Sequence, residues 1–323
     1  MTQKALTHGE GYRSLMGTRV GRLRIRLALL SRGLRSNWAI FAENKLGLIG
    51  LGIILIFALM ALVYPLLIGA IWNPRTYDPI VGHDFNIVEH PAPPSPAHLL
   101  GTDPLGRDVL AQLMYSTGSE FALGIIAALV TVTIATTVGA VVAYYGGLVD
   151  TLFMRLADLI IMTPPLTALI VVSVLFQVDL ITLALIIGVL SGFGGTTLIL
   201  KSHALTIKVR TYIDAARVAG GGNLRIIFRH IIPNLLPLSF LFMMFTVTGA
   251  IFSEAALSFF GLLNIRMSWG LMIYTSSTAG YLLNPDTWWL ILPAGLSITL
   301  LSSAFYLVGR ALDEVINPRL RRR

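Results

Sequence analysis

The sequence predicts an all-α, polytopic membrane bundle of six transmembrane helices with both ends of the chain in the cytoplasm. Three observations predict it. Of 323 residues, 55% are hydrophobic and only 12% are charged, about half the charged share of a soluble domain. The apolar residues gather in runs of roughly 20, the length that crosses ~30 Å of hydrocarbon at ~1.5 Å per residue. Finally, 21 of the 24 Lys and Arg residues fall in segments that alternating spans place on one side, leaving Arg75, Arg107 and Arg266 on the other. That segregation is the positive-inside pattern. It assigns the net charge of +8 to membrane orientation, so membrane lipid is expected as a partner and nucleic acid is not. With no cysteine, disulfides, thiolate chemistry and Cys-based metal sites are excluded.

Residues 1–45 form a cytoplasmic basic segment in which Val20 to Phe41 mixes arginines with Leu, Ile and Trp. This reads as an amphipathic helix on an anionic leaflet. The first long apolar run starts near Leu46, too deep for a cleavable signal. Residues 46–310 are the six-span domain. Leu46–Ala70 is the first span, with Pro65 expected to kink or thin its outer end. The outer loop 72–117 follows, Pro-rich and acidic. Within it, Gly101-Thr102-Asp103-Pro104-Leu105-Gly106-Arg107-Asp108 is a turn in which Asp103 or Asp108 caps the next helix. His83, His90 and His98, with Asp84 and Glu89, match no compact ligand spacing, and no metal is expected.

Phe121–Val142 is the second span. A short inner turn at 143–159 leads to a third span over Ile160–Phe176, softened by Pro164 and Pro165. After a tight turn at Gln177–Asp179, Leu180–Leu200 is the fourth span, with a GxxxG at Gly188 and Gly192 that permits close helix approach. The cytoplasmic loop 201–233 carries six Lys and Arg residues. Its heart is Tyr212 to Pro237, YIDAARVAGGGNLRIIFRHIIPNLLP. Asp214, Ala215 and Ala216 open a short helix that Gly220, Gly221 and Gly222 end. Asn223 caps a second short helix, Leu224–His230, with Arg225 and Arg229 on one face. Pro233 and Pro237 mark re-entry into the membrane. Two kinked helices between spans make a knob that fits a partner.

Leu235 to about Leu263 is the fifth span. Glu254, near its outer end, faces either the bundle interior or a hydrated interface. Trp288–Val308 is the sixth span, with Trp288 and Trp289 in the outer aromatic belt. Residues 311–323 are a basic cytoplasmic tail.

Several of these segments resemble a known family. Asp214-Ala215-Ala216, Gly220, His230 and Pro233 are similar to the EAA loop of binding-protein-dependent ABC importer permeases, with Asp214 where the family usually has Glu. The 101–108 turn resembles the GTDxxGRD signature of the dipeptide, oligopeptide and nickel branch. Tyr144-Tyr145-Gly146-Gly147, the run from Glu254 through Ser258 to Leu262, and Ser268-Trp269-Gly270 match further family patterns. The resemblance implies a type I importer permease in the cell (plasma or inner) membrane. It also implies that Tyr212, Asp214, Ala215, Ala216, Arg217, Gly220, Arg225, Arg229, His230 and Pro233 couple to an ATPase. Glu254, Ser258 and Trp269 would belong to the translocation pathway or outer gate. The implied partners are a second homologous permease, two ABC ATPase subunits and an extracytoplasmic solute-binding protein. Peptides, oligosaccharides or nickel would be the cargo.

The chain lacks GxxxxGK[ST]: Lys201-Ser202 is preceded by Leu200 where Gly is required. ATP and Mg²⁺ would therefore be used by the partner ATPases, and this chain is expected to bind no cofactor and to be non-catalytic. No HExxH, GxSxG or carboxylate pair within the spans points to catalysis. An ion-coupled secondary transporter would need ionisable groups deep in the spans, where Glu254 is the one candidate. A membrane scaffold would explain the knob without a pathway.

Overall fold

The computed structural model describes residues 38–316. Of the amphipathic stretch expected at Val20–Phe41, only the last four residues fall in this range, and the tail from Asn317 onward lies outside it. Within it the chain is helical, with one isolated β-bridge between Thr102 and Asp108. Four helices are long and apolar enough to cross a bilayer, and six spans result if each of two bent pairs counts as one.

Helix α1 (Lys45–Ala70) begins where Asn44 accepts a hydrogen bond from the Gly47 N–H, as an N-cap does. It runs unbroken through Pro65. A one-turn α2 (Pro74–Tyr77) follows. Helix α3 (Val109–Tyr145) spans 37 residues and starts directly after the 101–108 turn, not at Phe121. The expected inner turn at 143–159 is helix α4 (Gly147–Met162). Its leucines at 148, 152, 156 and 159 share one exposed face, so the charges at Asp150, Arg155 and Asp158 belong to an amphipathic helix.

The expected third span is broken. Helix α5 (Pro165–Leu175) is bent 85° from α4, because Pro165 supplies no N–H to the preceding turn and disfavours helical backbone at Pro164. The fourth span divides at Gly194 into α6 (Leu180–Phe193) and α7 (Gly195–Lys208), bent by 41°. Asp179 caps α6 through the Thr182 N–H at 2.8 Å. The GxxxG faces α3: a Cβ on Gly188 would lie 2.6 Å from the Val130 Cβ, and one on Gly192 2.9 Å from the Ile134 Cβ.

Helix α8 (Thr211–Val218) precedes α9 (Asn223–Ile226), which continues through a π turn (Ile227–Ile231) into α10 (Ile232–Phe259). The fifth span thus begins at Asn223 and runs 37 residues without interruption. The expected separate helix over Leu224–His230 is its first turns. Pro233 and Pro237 lie inside the rod, where the π turn absorbs the donor that Pro233 lacks. Helix α11 (Trp269–Thr278) is capped by Ser268. A 3₁₀ turn over Pro285–Leu290 takes up the expected start of the sixth span, leaving helix α12 (Leu292–Ile316).

Helix α3 is the central post, packed by α1, α6, α7 and α10, while α12 lies against α1 and α10. One core, at the end carrying the 101–108 turn, gathers Phe57, Leu113, Ile251, Trp269, Trp289 and Phe305. Another, at the end carrying the 211–237 segment, gathers Ala140, Ala204, Ile213, Ile227 and Leu235. The first of these ends is the motif end of the bundle and the second its loop end.

Candidate coupling surface and buried acidic pair

At the loop end, helix α8 terminates as its glycines dictate. Gly220 adopts φ +81°, its N–H bonds to the Arg217 carbonyl, and the Gly221 N–H bonds to the Ala216 carbonyl, both at 2.9 Å. This pair of bonds is a Schellman stop, which requires a left-handed residue at the Gly220 position. Ile213, Ile226, Ile227 and Ile231 bury against the loop end of α3 and against α7. That packing fixes the knob and turns its other faces outward.

Asn223 does not cap α9; it is the first residue of that helix, and its Oδ1 accepts from the Tyr144 hydroxyl at 2.8 Å. The Tyr144 ring also lies under the Arg217 guanidinium, 5.5 Å from its centroid, within cation–π range. Arg217 pairs with Asp214 at 3.0 Å, and the rings of Tyr212 and His230 approach to 6.4 Å. Arg225 and Arg229 are exposed and make no ion pair or hydrogen bond among the described residues. Beside them stand Val218, Leu224 and Phe228, with Val218 90% exposed. Ala215 and Pro233 are exposed as well, and Ala216 is half-buried. All ten residues picked for coupling therefore lie on one contiguous segment, which offers cations and apolar side chains together.

At the motif end, the 101–108 turn is closed on itself. Gly101 and Gly106 take φ of +70° and +81°, and a Cβ at Gly106 would fall within 2.2 Å of the His83 ring. Asp103 accepts from the backbone N–H of Leu105 and Arg107, from Arg107 Nε at 2.7 Å and from Gln112 Nε2 at 2.8 Å. Thr102 Oγ1 accepts from the Ala92 N–H and lies 2.8 Å from His90 Nδ1. Asp108 caps α3 through the Ala111 N–H at 2.6 Å, as the capping reading expects of one of the two aspartates.

The Asp108 Oδ2 also lies 2.8 Å from His98 Nδ1, whose Nε2 lies 3.1 Å from Asp84 Oδ2. Burial pushes the Asp108 carboxyl up, against hydrogen bonds from Ala111 and His98. The Asn86 N–H holds Asp84 below the usual carboxylate range, helped by His98. Both are the ordinary consequences of desolvation and of donors aimed at a carboxylate. Trp289 does not face outward as a belt residue would. It is buried, and its Nε1–H donates to the Thr102 carbonyl at 3.2 Å. Trp288 is half-exposed.

Between the two ends lies a feature that the sequence reading missed. Glu254 is fully buried, in the bundle interior and not at a hydrated interface. Facing it from α3 is Glu120, also 0% exposed, with the two carboxyl groups close enough to hydrogen-bond. The spans thus do contain a carboxylate pair. Ser258 donates to Glu254 Oε1 at 2.5 Å, and Ser268 reaches Ser258 at 3.4 Å. Trp269 is fully buried and donates from Nε1 to the Leu113 carbonyl at 3.1 Å. Glu254, Ser258 and Trp269 therefore sit together inside this chain's own helix contacts.

The described residues thus form a multi-span helical bundle that exposes a cationic and apolar segment at one end. Residues 135–322 match the family described as binding-protein-dependent transport system inner membrane component. Residues 34–94 match the N-terminal TM domain of oligopeptide transport permease C. The chain is 32% identical over 291 residues to the dipeptide transport system permease protein DppC of Haemophilus influenzae, covering 89% of this chain and 95% of that protein. It is 33% identical over 288 residues to the DppC of Bacillus subtilis, covering 88% and 85%. To the oligopeptide transport system permease protein OppC of Bacillus subtilis it is 31% identical over 284 residues, covering 87% and 88%. The chain belongs to the family of binding-protein-dependent transport system inner membrane components. It is thus a permease component of an ABC importer, residing in the inner membrane.

Proposed function

We propose that this chain is one of two homologous permeases in a peptide importer, working with two ATPase subunits and an extracytoplasmic solute-binding protein. Peptide as cargo is supported by the named functions of its DppC and OppC relatives. In this reading both chain termini and the loop end face the cytoplasm, and the motif end faces outward, as the distribution of basic residues favours. ATP and Mg²⁺ act in the partner subunits, and the 211–233 segment receives the push.

One observation carries the coupling role: the knob is continuous with a span. From Asn223 the rod of α9, the π turn and α10 extends 37 residues, about 55 Å at ~1.5 Å per residue. A displacement of Arg225 or Phe228 at one end is then passed along one continuous helix toward Glu254 and Ser258 near the other. An element that spans both sites in this way supplies the physical connection that coupling between them needs. Glu254, Ser258 and Trp269 then act as an outer gate by holding α3, α10 and α11 together, and the 101–108 turn anchors the outer ends of α3 and the 3₁₀ turn.

The test is purification of the tagged chain with its membrane partners, followed by ATP hydrolysis and peptide uptake in proteoliposomes with a panel of di- and oligopeptides. Peptide-stimulated hydrolysis with uptake supports the reading. Recovery of the assembled complex with hydrolysis stimulated by nickel or oligosaccharide, and not by peptide, overturns the peptide assignment.

A further inference from the structure

Glu120 and Glu254 raise a question that peptide transport does not answer. Both are completely buried, they face one another across the α3–α10 contact, and no cation pairs with either among the described residues. Helices α5, α6 and α11 contain no charged residue at all, α1 has only Lys45 at its first position, and the charges of α12 (Arg310, Asp313 and Glu314) lie in its last turns. On α7, Lys201 pairs with Asp150 and Lys208 donates to the Ala143 carbonyl, at the loop end. Arg266 and Asp179 line a cavity of about 470 Å³ with Ser119, and neither ion-pairs or hydrogen-bonds with the two glutamates. The groups that do face the pair are the hydroxyls of Ser258 and Ser268.

The donors are distributed unequally. Glu254 Oε1 receives the Ser258 hydroxyl. Both oxygens of Glu120, and Oε2 of Glu254, have no donor among the described residues. Two fully buried carboxylates at hydrogen-bonding range, with no cation beside them among the described residues, cannot both keep a charge, because neither has a counter-ion or bulk solvent to stabilise it. A divalent metal would need six or more oxygen ligands for calcium or a near-ideal octahedron for magnesium. No group of three or more acidic or histidine side chains is arranged to supply one among the described residues.

We propose that Glu120 and Glu254 form a proton-binding site, in which one proton held on Glu120 is donated to Glu254 Oε2 and ties α3 to the rod formed by α9 and α10. Ser258 supplies the hydrogen bond that favours negative charge on Glu254 over Glu120. Loss of the proton leaves two facing carboxylates that repel, so the contact at the end of the rod opens when the proton departs. The inference concerns the chain's interior and does not rest on the cargo proposed above.

Infrared spectroscopy of the full complex in native membranes tests it. The wild-type minus E120Q difference at neutral pH is expected to contain the C=O stretch of a protonated carboxylic acid, lost from the wild type as pH rises. In E120Q an amide N–H replaces the O–H donation of the acid and cannot be titrated away, so the E120Q complex keeps its assembly at alkaline pH while the wild-type complex loses it. If E120Q fails to assemble, the E120Q/E254Q double variant, which preserves the donor–acceptor pattern with two amides, carries the same expectation. A difference spectrum without a carboxylic-acid band overturns the proposal. A band that emerges only when Na⁺ and K⁺ are replaced by a bulky organic cation also overturns it, by showing that a metal cation occupies the pair.

Discussion

Substituting Gly220 isolates the shape of the knob from its chemistry. At φ +81° the residue sits in the left-handed region, and a Cβ there would meet no heavy atom within 4 Å. Any penalty for alanine is therefore backbone strain alone, about 1–2 kcal/mol, or a factor of roughly 5–30 in the equilibrium that closes the Schellman turn. Asparagine, which tolerates left-handed backbone, loses less. Proline fixes φ near about −65° and deletes the Gly220 N–H bond to Arg217, a loss on the order of 3 kcal/mol. Hydrogen exchange at the Gly221 amide, which bonds to the Ala216 carbonyl, reads the turn directly. Exchange should accelerate in the order asparagine, alanine, proline, with alanine roughly 5–30-fold above wild type. Peptide-stimulated ATP hydrolysis should fall in the same order while the chain still inserts. Equal exchange and equal hydrolysis across the series would refute the claim that this turn shapes the coupling surface.

Asp214→Lys removes an exposed ion pair with Arg217; global stability should move by no more than about 0.5 kcal/mol, and stimulated ATP hydrolysis should be lost, as a hydrolysis assay beside a thermal melt will show. Gly188→Leu should lower the assembled yield and thermal midpoint, because its first side-chain carbon already overlaps Val130 and overpacking costs about 1–3 kcal/mol. Gly52→Ala, which meets nothing within 4 Å, should not. The two aspartates around His98 give stability opposite pH dependences. Asp84 is held low, so its contribution is complete above the unfolded carboxylate pKa and disappears as pH falls through the lower folded value. Asp108 is pushed up, so its contribution is complete below the unfolded pKa and disappears as pH rises through the higher folded value. Thermal melts against pH should show that Asp84→Asn flattens the acid limb and Asp108→Asn the rising one.

What the sequence made legible follows from what each signal depends on. The apolar runs announced the spans, since crossing a bilayer demands their length locally. The three glycines announced the end of α8, because a left-handed stop is a single-residue requirement. Asp108 was readable as a cap for the same local reason. The features that escaped are tertiary. Glu120 follows Ser116, Thr117, Gly118 and Ser119, a polar run that reads as loop; its burial comes from α10 and α11 packing over α3. Pro164 and Pro165 announced a disturbance but not an 85° bend. The α4 helix was hidden although its leucine stripe at 148, 152, 156 and 159 is local, because Gly146, Gly147, Asp150, Arg155 and Asp158 read as a turn between spans. Trp289 looked interfacial since aromatic belts and buried hydrogen-bonded tryptophans use the same residue type; only the Thr102 carbonyl distinguishes them. The clearest cue available was the i, i+4 recurrence of polar residues at Ser116 and Glu120, which keeps one face of α3 polar.

Because the native chain has no cysteine, a single introduced thiol is the chain's one point of thiol attachment. Val218→Cys places it on the knob, and Leu105→Cys on the exposed tip of the motif turn. Cross-linking from both variants in native membranes, followed by identification of the adducts, tests the central claim directly. The account predicts that the Val218→Cys thiol joins to the ATPase subunit and the Leu105→Cys thiol does not. An ATPase adduct from the Leu105→Cys variant, or none from the Val218→Cys variant in a complex that still hydrolyses ATP, would contradict it.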